Sequence, residues 1–81
     1  MKKEQNDNVD LQKSTPRYVV VEQLKQARKE QNMTQEILAM RAGTKKSNIS
    51  RLESGTYNPS LDFLIKVAGC LGKNIQIKIT Q

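Results

Sequence analysis

Two short helical patterns in this chain are joined by only two residues, Gly43 and Thr44. The first pattern runs from about 34 to 42, with Thr34 as its N-cap, and the second runs from about 45 to 54. Glycine adopts the left-handed conformation at little cost and therefore ends the first helix, whereas threonine is a typical N-cap for the second. Because two helices this close in the chain cannot lie end to end, the connection predicts a sharp turn between them.

One further helix is predicted on each side of this pair. The first begins at Thr15 and Pro16, a typical helix start, and extends to about Gln31. Its residues with helical spacing are Val20, Leu24 and Ala27, with Val21 and Arg28 on the flank. The last helix follows a cap at Ser60 and ends at Gly72. Its expected core stripe consists of Leu61, Leu64, Val67, Ala68 and Leu71.

The two ends of the chain predict different structures. Residues 1–14 mix charges of both signs with few apolar groups, so we expect a flexible, disordered arm. At the other end, within residues 73–81, Ile75, Ile77 and Ile79 alternate with polar residues, which predicts a half-buried strand. A lone strand leaves its backbone groups unpaired, so we expect it to pair with a second copy of the chain; a frayed tail is the alternative. The prediction is an all-α, compact four-helix domain over residues 15–72.

Histidine is absent and Cys70 is the one cysteine. The chain therefore lacks the ligands of common zinc sites and the commonest catalytic base, and we expect no enzymatic activity, no metal and no cofactor. Its apolar runs fall far short of the ~20 residues that a membrane span needs. No apolar segment follows the charged start of the chain, so we also expect no secretion signal, no membrane partner and a cytoplasmic location.

The helix predicted for residues 45–54 has two different faces. Ile49 and Leu52 fall in one narrow sector, opposite small hydroxyls and cations: Lys46, Ser47, Ser50, Arg51 and Ser54. Short side chains let a helix enter the ~12 Å wide major groove, where Lys and Arg reach guanine acceptors or phosphates. The net charge of +6 agrees with a nucleic-acid partner. The pattern predicts binding to double-stranded DNA, and an ordinary solvated face is the alternative.

Four motifs between residues 20 and 72 occur together. They are Thr34-Gln35, Gly43-Thr44, the run ISRLESG over residues 49–55, and Pro59-Ser60-Leu61. With these motifs the chain resembles the lambda-repressor or Xre-type helix-turn-helix family. The resemblance implies that Gln35 and Asn48 contact phosphate. It further implies a set of residues that face base edges or the DNA backbone: Lys45, Lys46, Ser47, Ser50 and Arg51.

Arg28 lies on the core-side flank of the helix predicted between Thr15 and Gln31, where a cation without a partner would be costly. Glu53 lies beside Leu52 at the inward end of the helix predicted for residues 45–54 and is the expected partner. The family resemblance also implies an ion pair between these positions. Two independent surface charges are the alternative.

The helix predicted for residues 34–42 carries Ile37 and Met40 one turn apart, pointing away from Leu38 and Ala42. The family resemblance leads us to expect polar residues at these two positions. The pair is either two scattered surface hydrophobes or a contact with a partner or with the N-terminal arm.

These observations favour a homodimeric repressor of a palindromic operator, with two recognition helices about one DNA turn, ~34 Å, apart. The small size and the strand at the end resemble the HigA-type antitoxins of type II toxin–antitoxin pairs, which implies a cognate toxin as a further partner. A phage-type or stand-alone regulator without a toxin is an alternative. A protein-interaction module that has lost DNA binding is another.

Overall fold

The computed structural model describes residues 15–81, so the arm predicted for residues 1–14 lies outside the described chain. The described residues form four helices: α1 (Pro16–Glu30), α2 (Gln35–Arg41), α3 (Lys46–Ser54) and α4 (Leu61–Cys70). This is the all-α, four-helix domain that the sequence predicts. Among the helices of residues 15–81, none combines the length and the apolar character needed to cross a membrane.

Hydroxyl caps begin three of the four helices, at the predicted positions. The side chains of Thr15, Thr34 and Ser60 each accept a hydrogen bond from the backbone N–H three residues further on. Pro16 occupies the first turn of α1, where its missing N–H donor is not needed. The starts of α1, α2 and α4 are therefore local properties of the sequence.

The start of α3 differs from the prediction. Gly43 ends α2 with φ +67°, and the Thr44 N–H donates to the Ala39 carbonyl, so Thr44 still belongs to the end of α2. Its hydroxyl accepts from the Asn48 side chain at 2.7 Å. The N-cap of α3 is Lys45, which makes no side-chain cap hydrogen bond. The prediction of a Thr44 cap is therefore wrong, and α3 begins one residue later than expected.

The hydrophobic core lies between the four helices: α2 packs against α3 and α4, and α3 also packs against α1. Its most deeply buried large side chains are Val21, Leu38, Ile49, Leu52 and Val67. Val21 thus belongs to the core, whereas Val20 is only half-buried, because helical spacing alone does not decide which of two adjacent valines faces inward. Leu61 is 49% exposed and not a core residue, since it lines an open groove near Ile75 at the first turn of α4.

Residues 73–81 follow α4 without regular secondary structure. The Lys73 N–H donates to the Ala68 carbonyl and closes α4, but residues 74–81 make no hydrogen bond within the described chain. Ile75 packs partly on the core, whereas Ile77 and Ile79 are exposed. A strand is thus absent from the described single chain, and its pairing with a second chain stays a prediction.

Candidate nucleic-acid interface

Helix α3 divides into a buried face and a polar face. Ile49 and Leu52 are buried against the other helices at 0% and 1% exposure. The five α3-region residues expected to face DNA are all exposed: Lys45, Lys46, Ser47, Ser50 and Arg51. The hydrophobic anchors therefore fix α3 in the domain and turn its cations and small hydroxyls outward.

The first turn of α3 is electropositive. It contains no acidic residue, and no side chain caps its first N–H groups. Lys45 and Lys46 stand at this helix start and add their positive charges to the positive end of the helix dipole. Such a helix start suits a phosphate group, which accepts hydrogen bonds from backbone N–H groups.

Asn48 uses both ends of its side-chain amide within the domain. Its Nδ2 donates to Thr44 Oγ1 at 2.7 Å, and its Oδ1 accepts from an Nη2–H of Arg51 at 2.7 Å. The expected contact between Asn48 and phosphate stays a prediction. In this arrangement the amide is bound to protein groups.

Arg51 has a second neighbour that the sequence did not indicate. Its guanidinium carbon lies 5.7 Å from the centre of the Tyr57 ring, within the range of a cation–π contact. Tyr57 belongs to the loop after α3, six residues beyond Arg51, so the helical period of α3 does not relate the two residues. An aromatic residue in a loop that follows a basic helix is the weak signal that was available.

Gln35 and the predicted ion pair form one network. Glu53 accepts from Arg28 Nε at 2.7 Å and from Arg28 Nη2 at 2.9 Å, so the ion pair expected from the sequence is present and has two hydrogen bonds. Arg28 Nη1 donates to the Met33 carbonyl at 2.7 Å. The Gln35 Nε2 donates to Glu53 Oε1 at 2.9 Å. Gln35, the first residue of α2, is therefore connected through Glu53 to Arg28 in the last turn of α1.

The charge on Glu53 is maintained by its neighbours. Burial raises the pKa of this carboxyl group, but hydrogen bonds from Arg28 and Gln35, together with the charges of Arg28 and Lys25, outweigh that effect. The net pKa of Glu53 lies below its ordinary value. Glu53 is thus ionised at neutral pH and holds Arg28 and Gln35 at the same time.

The apolar pair on α2 lies at the surface, as its spacing indicates. Met40 is 72% exposed and Ile37 is 37% exposed. Both belong to the helix that precedes the turn. The choice between surface hydrophobes and a partner contact stays open.

Comparison with known proteins identifies similar chains. The family described as helix-turn-helix matches residues 24–78. An uncharacterized HTH-type transcriptional regulator of Archaeoglobus fulgidus is 43% identical over 53 residues, which cover 65% of this chain and 75% of that protein. The immunity repressor protein of Bacillus phage phi105 is also 43% identical over 53 residues, but these cover only 37% of the repressor.

A solved structure is similar over nearly the whole chain. It is described as a toxin–antitoxin module from Streptococcus pneumoniae. The match has a TM-score of 0.66 and 29% sequence identity, and it covers 98% of this chain and 81% of that chain. The sequence matches and the structural match therefore agree on the same kind of helical domain.

Proposed function

The chain belongs to the lambda-repressor or Xre-type helix-turn-helix family of transcriptional regulators, and on this premise we propose that it is a repressor that binds double-stranded DNA sequence-specifically. The observation that carries the proposal is the division of α3 into a buried apolar face and an exposed polar face. Ile49 and Leu52 are fully buried, while the opposite face is exposed and consists of cations and small hydroxyls. This face fits the major groove, whose base edges accept hydrogen bonds from Lys, Arg and Ser.

The proposed contacts fall into two classes. Lys46, Ser47 and Arg51 read base edges, because they lie on the exposed face of α3. Gln35 and Lys45 contact phosphates from the starts of α2 and α3. Phosphate contacts fix the position of the protein on the duplex, and base contacts give sequence preference.

A salt titration on duplex and single-stranded oligonucleotides tests this proposal. We expect tighter binding to the duplex and a log–log salt slope of about 0.9 for each phosphate neutralised. Lys46→Gln should lower both the affinity and the slope. Lys29→Gln removes the same charge from an exposed position in the last turn of α1 and should change neither strongly. Equal affinity for duplex and single strand, or equal effects of the two substitutions, would contradict the proposal.

We also propose that the repressor acts as a homodimer through residues 73–81. The backbone groups of residues 74–81 have no hydrogen-bond partners within the described chain, and Ile77 and Ile79 are exposed. Apolar grooves border this segment, lined in part by Val20, Leu64 and Ile75. A second copy of the segment supplies both the missing strand and apolar side chains for these grooves. Two linked recognition helices then match a palindromic operator.

An antitoxin role is the more specific form of this proposal. It is supported by the likeness to the toxin–antitoxin module from Streptococcus pneumoniae, which extends over 98% of this chain. A HigA-type antitoxin represses its own operon and binds a cognate toxin. If a neighbouring gene product arrests growth and co-expression of this chain restores growth, the antitoxin role is correct. If no neighbouring product does so, the role is wrong.

The second candidate function is a stand-alone regulator without a toxin. It is favoured by the 43% identity to the immunity repressor protein of phage phi105. The shared segment spans 37% of that repressor, so the likeness concerns one domain of it. The same growth experiment separates the two candidates, because only the antitoxin neutralises a neighbouring toxin.

A further inference from the structure

We propose that Asn48 and Tyr57 are positioning residues that hold Arg51 ready to read a guanine in the major groove. This inference rests on the proposed DNA binding and deepens it, because it names a base and two residues that act through a third. Its basis is a series of contacts along α3 and the following loop. The series connects Thr44, Asn48, Arg51 and Tyr57.

The first contacts of this series are those of Asn48, on α3 itself. Asn48 is half-buried and its Nδ2 is bound to the hydroxyl of Thr44, in the turn that precedes the helix. Because that bond orients the amide, Oδ1 is directed towards Arg51 and accepts an Nη2–H at 2.7 Å. Asn48 therefore joins the turn of the motif to the base-reading side chain.

The remaining contacts of this series lie in the loop after α3. Ser54 Oγ donates to the Arg51 carbonyl at 2.7 Å, lies 2.9 Å from Thr56 Oγ1, and accepts from the Thr56 N–H at 3.3 Å. These bonds fix the loop immediately before Tyr57. The Tyr57 ring packs partly on the hydrophobic core and faces the Arg51 guanidinium. The aromatic ring is thus a fixed surface and not a free side chain.

The two contacts leave Arg51 able to recognise DNA. A guanidinium group has five N–H donors, and Asn48 accepts from one of them. Two of the remaining donors are sufficient for the paired hydrogen bonds to guanine O6 and N7. An arginine that is already held loses less rotamer freedom on binding, so restraint in the free protein strengthens the specific complex.

The positioning role differs measurably from a phosphate role for Asn48. A phosphate ligand contributes to binding on every sequence and to the salt slope. A residue that acts through Arg51 contributes only where Arg51 meets its base, and its contribution disappears when Arg51 is removed. The inference therefore predicts coupling between position 48 and position 51, and between position 57 and position 51.

The first measurement uses the free protein. In the NMR spectrum of the full chain, the side-chain δ-protons of Arg51 should be shifted by the ring current of Tyr57. Tyr57→Leu should abolish this shift, whereas Tyr57→Phe should preserve it because the aromatic face remains. The absence of any ring-current shift at Arg51 in the unsubstituted chain would overturn the role of Tyr57 without any reference to DNA.

The second measurement selects duplex sites from random DNA and then compares variants on the selected site. Tyr57→Leu should weaken binding to that site about two- to fivefold, the factor expected for an exposed cation–π contact. It should leave binding to unrelated duplex unchanged, and Tyr57→Phe should retain the affinity. Asn48→Ala should likewise reduce discrimination at the guanine read by Arg51. In an Arg51→Ala background, both substitutions should have no further effect on discrimination.

Separate control measurements distinguish a loss of folding from a loss of DNA binding. Circular dichroism and thermal melts identify a variant that has lost the domain, and Tyr57→Phe and Asn48→Ala keep the ring and the helix, respectively. If the unsubstituted chain enriches no duplex site, the proposed DNA binding is wrong and the inference falls with it. If a site is enriched but the losses are uniform across sequences and additive with Arg51→Ala, only the positioning role is wrong.

Discussion

The α2–α3 unit and the C-terminal segment, residues 73–81, both carry isoleucine in a regular pattern, yet they place it in opposite environments. Ile49 of α3 is 0% exposed, whereas Ile79 of the C-terminal segment is 93% exposed. The stripe of α3 meets α1 and α2 in the same chain. The alternating residues of the C-terminal segment border two open grooves and not a closed core. A hydrophobic pattern therefore predicts burial only where the fold supplies a second surface.

The polar groups of the two regions differ in the same way. Among residues 15–81, no buried side-chain nitrogen or oxygen lacks a hydrogen bond. In the α2–α3 unit, even the buried Glu53 accepts from Arg28 and Gln35. The backbone of residues 74–81, by contrast, pairs with nothing in the described chain. The first region is complete within one chain, and the second has the unpaired groups and exposed isoleucines that the proposed dimer uses.

The largest difference between the two regions should appear when the same substitution is made in each. Ile49→Ala should lower the free energy of unfolding by about 2–5 kcal/mol, because it leaves a cavity in the core. Ile79→Ala should change it by less than about 0.5 kcal/mol at concentrations where the chain is monomeric. Urea unfolding monitored by circular dichroism measures both. Similar losses would mean that Ile79 is buried in the folded monomer.

A smaller effect is expected from the buried ion pair of the α2–α3 unit. Glu53→Gln should lower the free energy of unfolding by about 2 kcal/mol, less than the ~3–5 kcal/mol for a deeply buried pair, because the amide retains an acceptor oxygen for Arg28. Glu36→Gln makes the same chemical change at an exposed position in the first turn of α2. It should cost less than about 1 kcal/mol. Equal shifts in melting temperature would contradict the structural role of the pair.

The ion pair also predicts a pH dependence. The pKa of Glu53 is lower in the folded chain than its ordinary value of 4.5, so the native state favours the charged form. This contribution to stability is fully present above pH 4.5 and is lost as the pH falls through the lower, folded pKa. The stability difference between the unsubstituted chain and Glu53→Gln should therefore shrink in acid. Urea unfolding from neutral pH to about pH 3 measures it, and a constant difference would contradict the assignment.

Removing residues 74–81 should have only a small effect on the folded monomer. Ile75 is only half-buried, so the deletion should cost about 1 kcal/mol, and the four helices should persist. Lys73 is retained because its N–H closes α4. The effect on assembly should be large, since sedimentation should show a dimer for the full chain and a monomer for the shortened one. Affinity for a palindrome should fall accordingly. A shortened chain that stays dimeric would place the interface elsewhere.

Local sequence rules predicted much of the fold. The caps at Thr15, Thr34 and Ser60 and the left-handed Gly43 depend on neighbouring residues, and all four are present. The rule failed at Thr44, whose hydroxyl is a good cap in isolation. The Thr44 N–H donates to the Ala39 carbonyl at the end of α2, and the Thr44 hydroxyl accepts from the Asn48 side chain. Ending α2 and capping α3 therefore competed for the same residue.

The candidate site was predictable as a surface but not as a set of contacts. The exposed face of α3 follows from its 3.6-residue period, and this is why Lys46, Ser47 and Arg51 could be named. The contact of Gln35 with Glu53 joins two helices, and that of Arg51 with Tyr57 joins a helix and a loop, so no period within one element predicts them. Such pairs depend on how the helices pack and where the loop after α3 turns.

The sequence by itself determined where α1, α2 and α4 begin, which face of α3 is apolar, and that Arg28 requires an anionic partner. These features depend on capping, periodicity and the cost of a buried charge, all of which act within a few residues or on one side chain. Only the tertiary structure decided that Val21 is buried while Leu61 stays at the surface, and that Glu53 binds Gln35 as well as Arg28. Burial and hydrogen-bond partners are properties of two surfaces in contact, and the second surface exists only once the chain has folded.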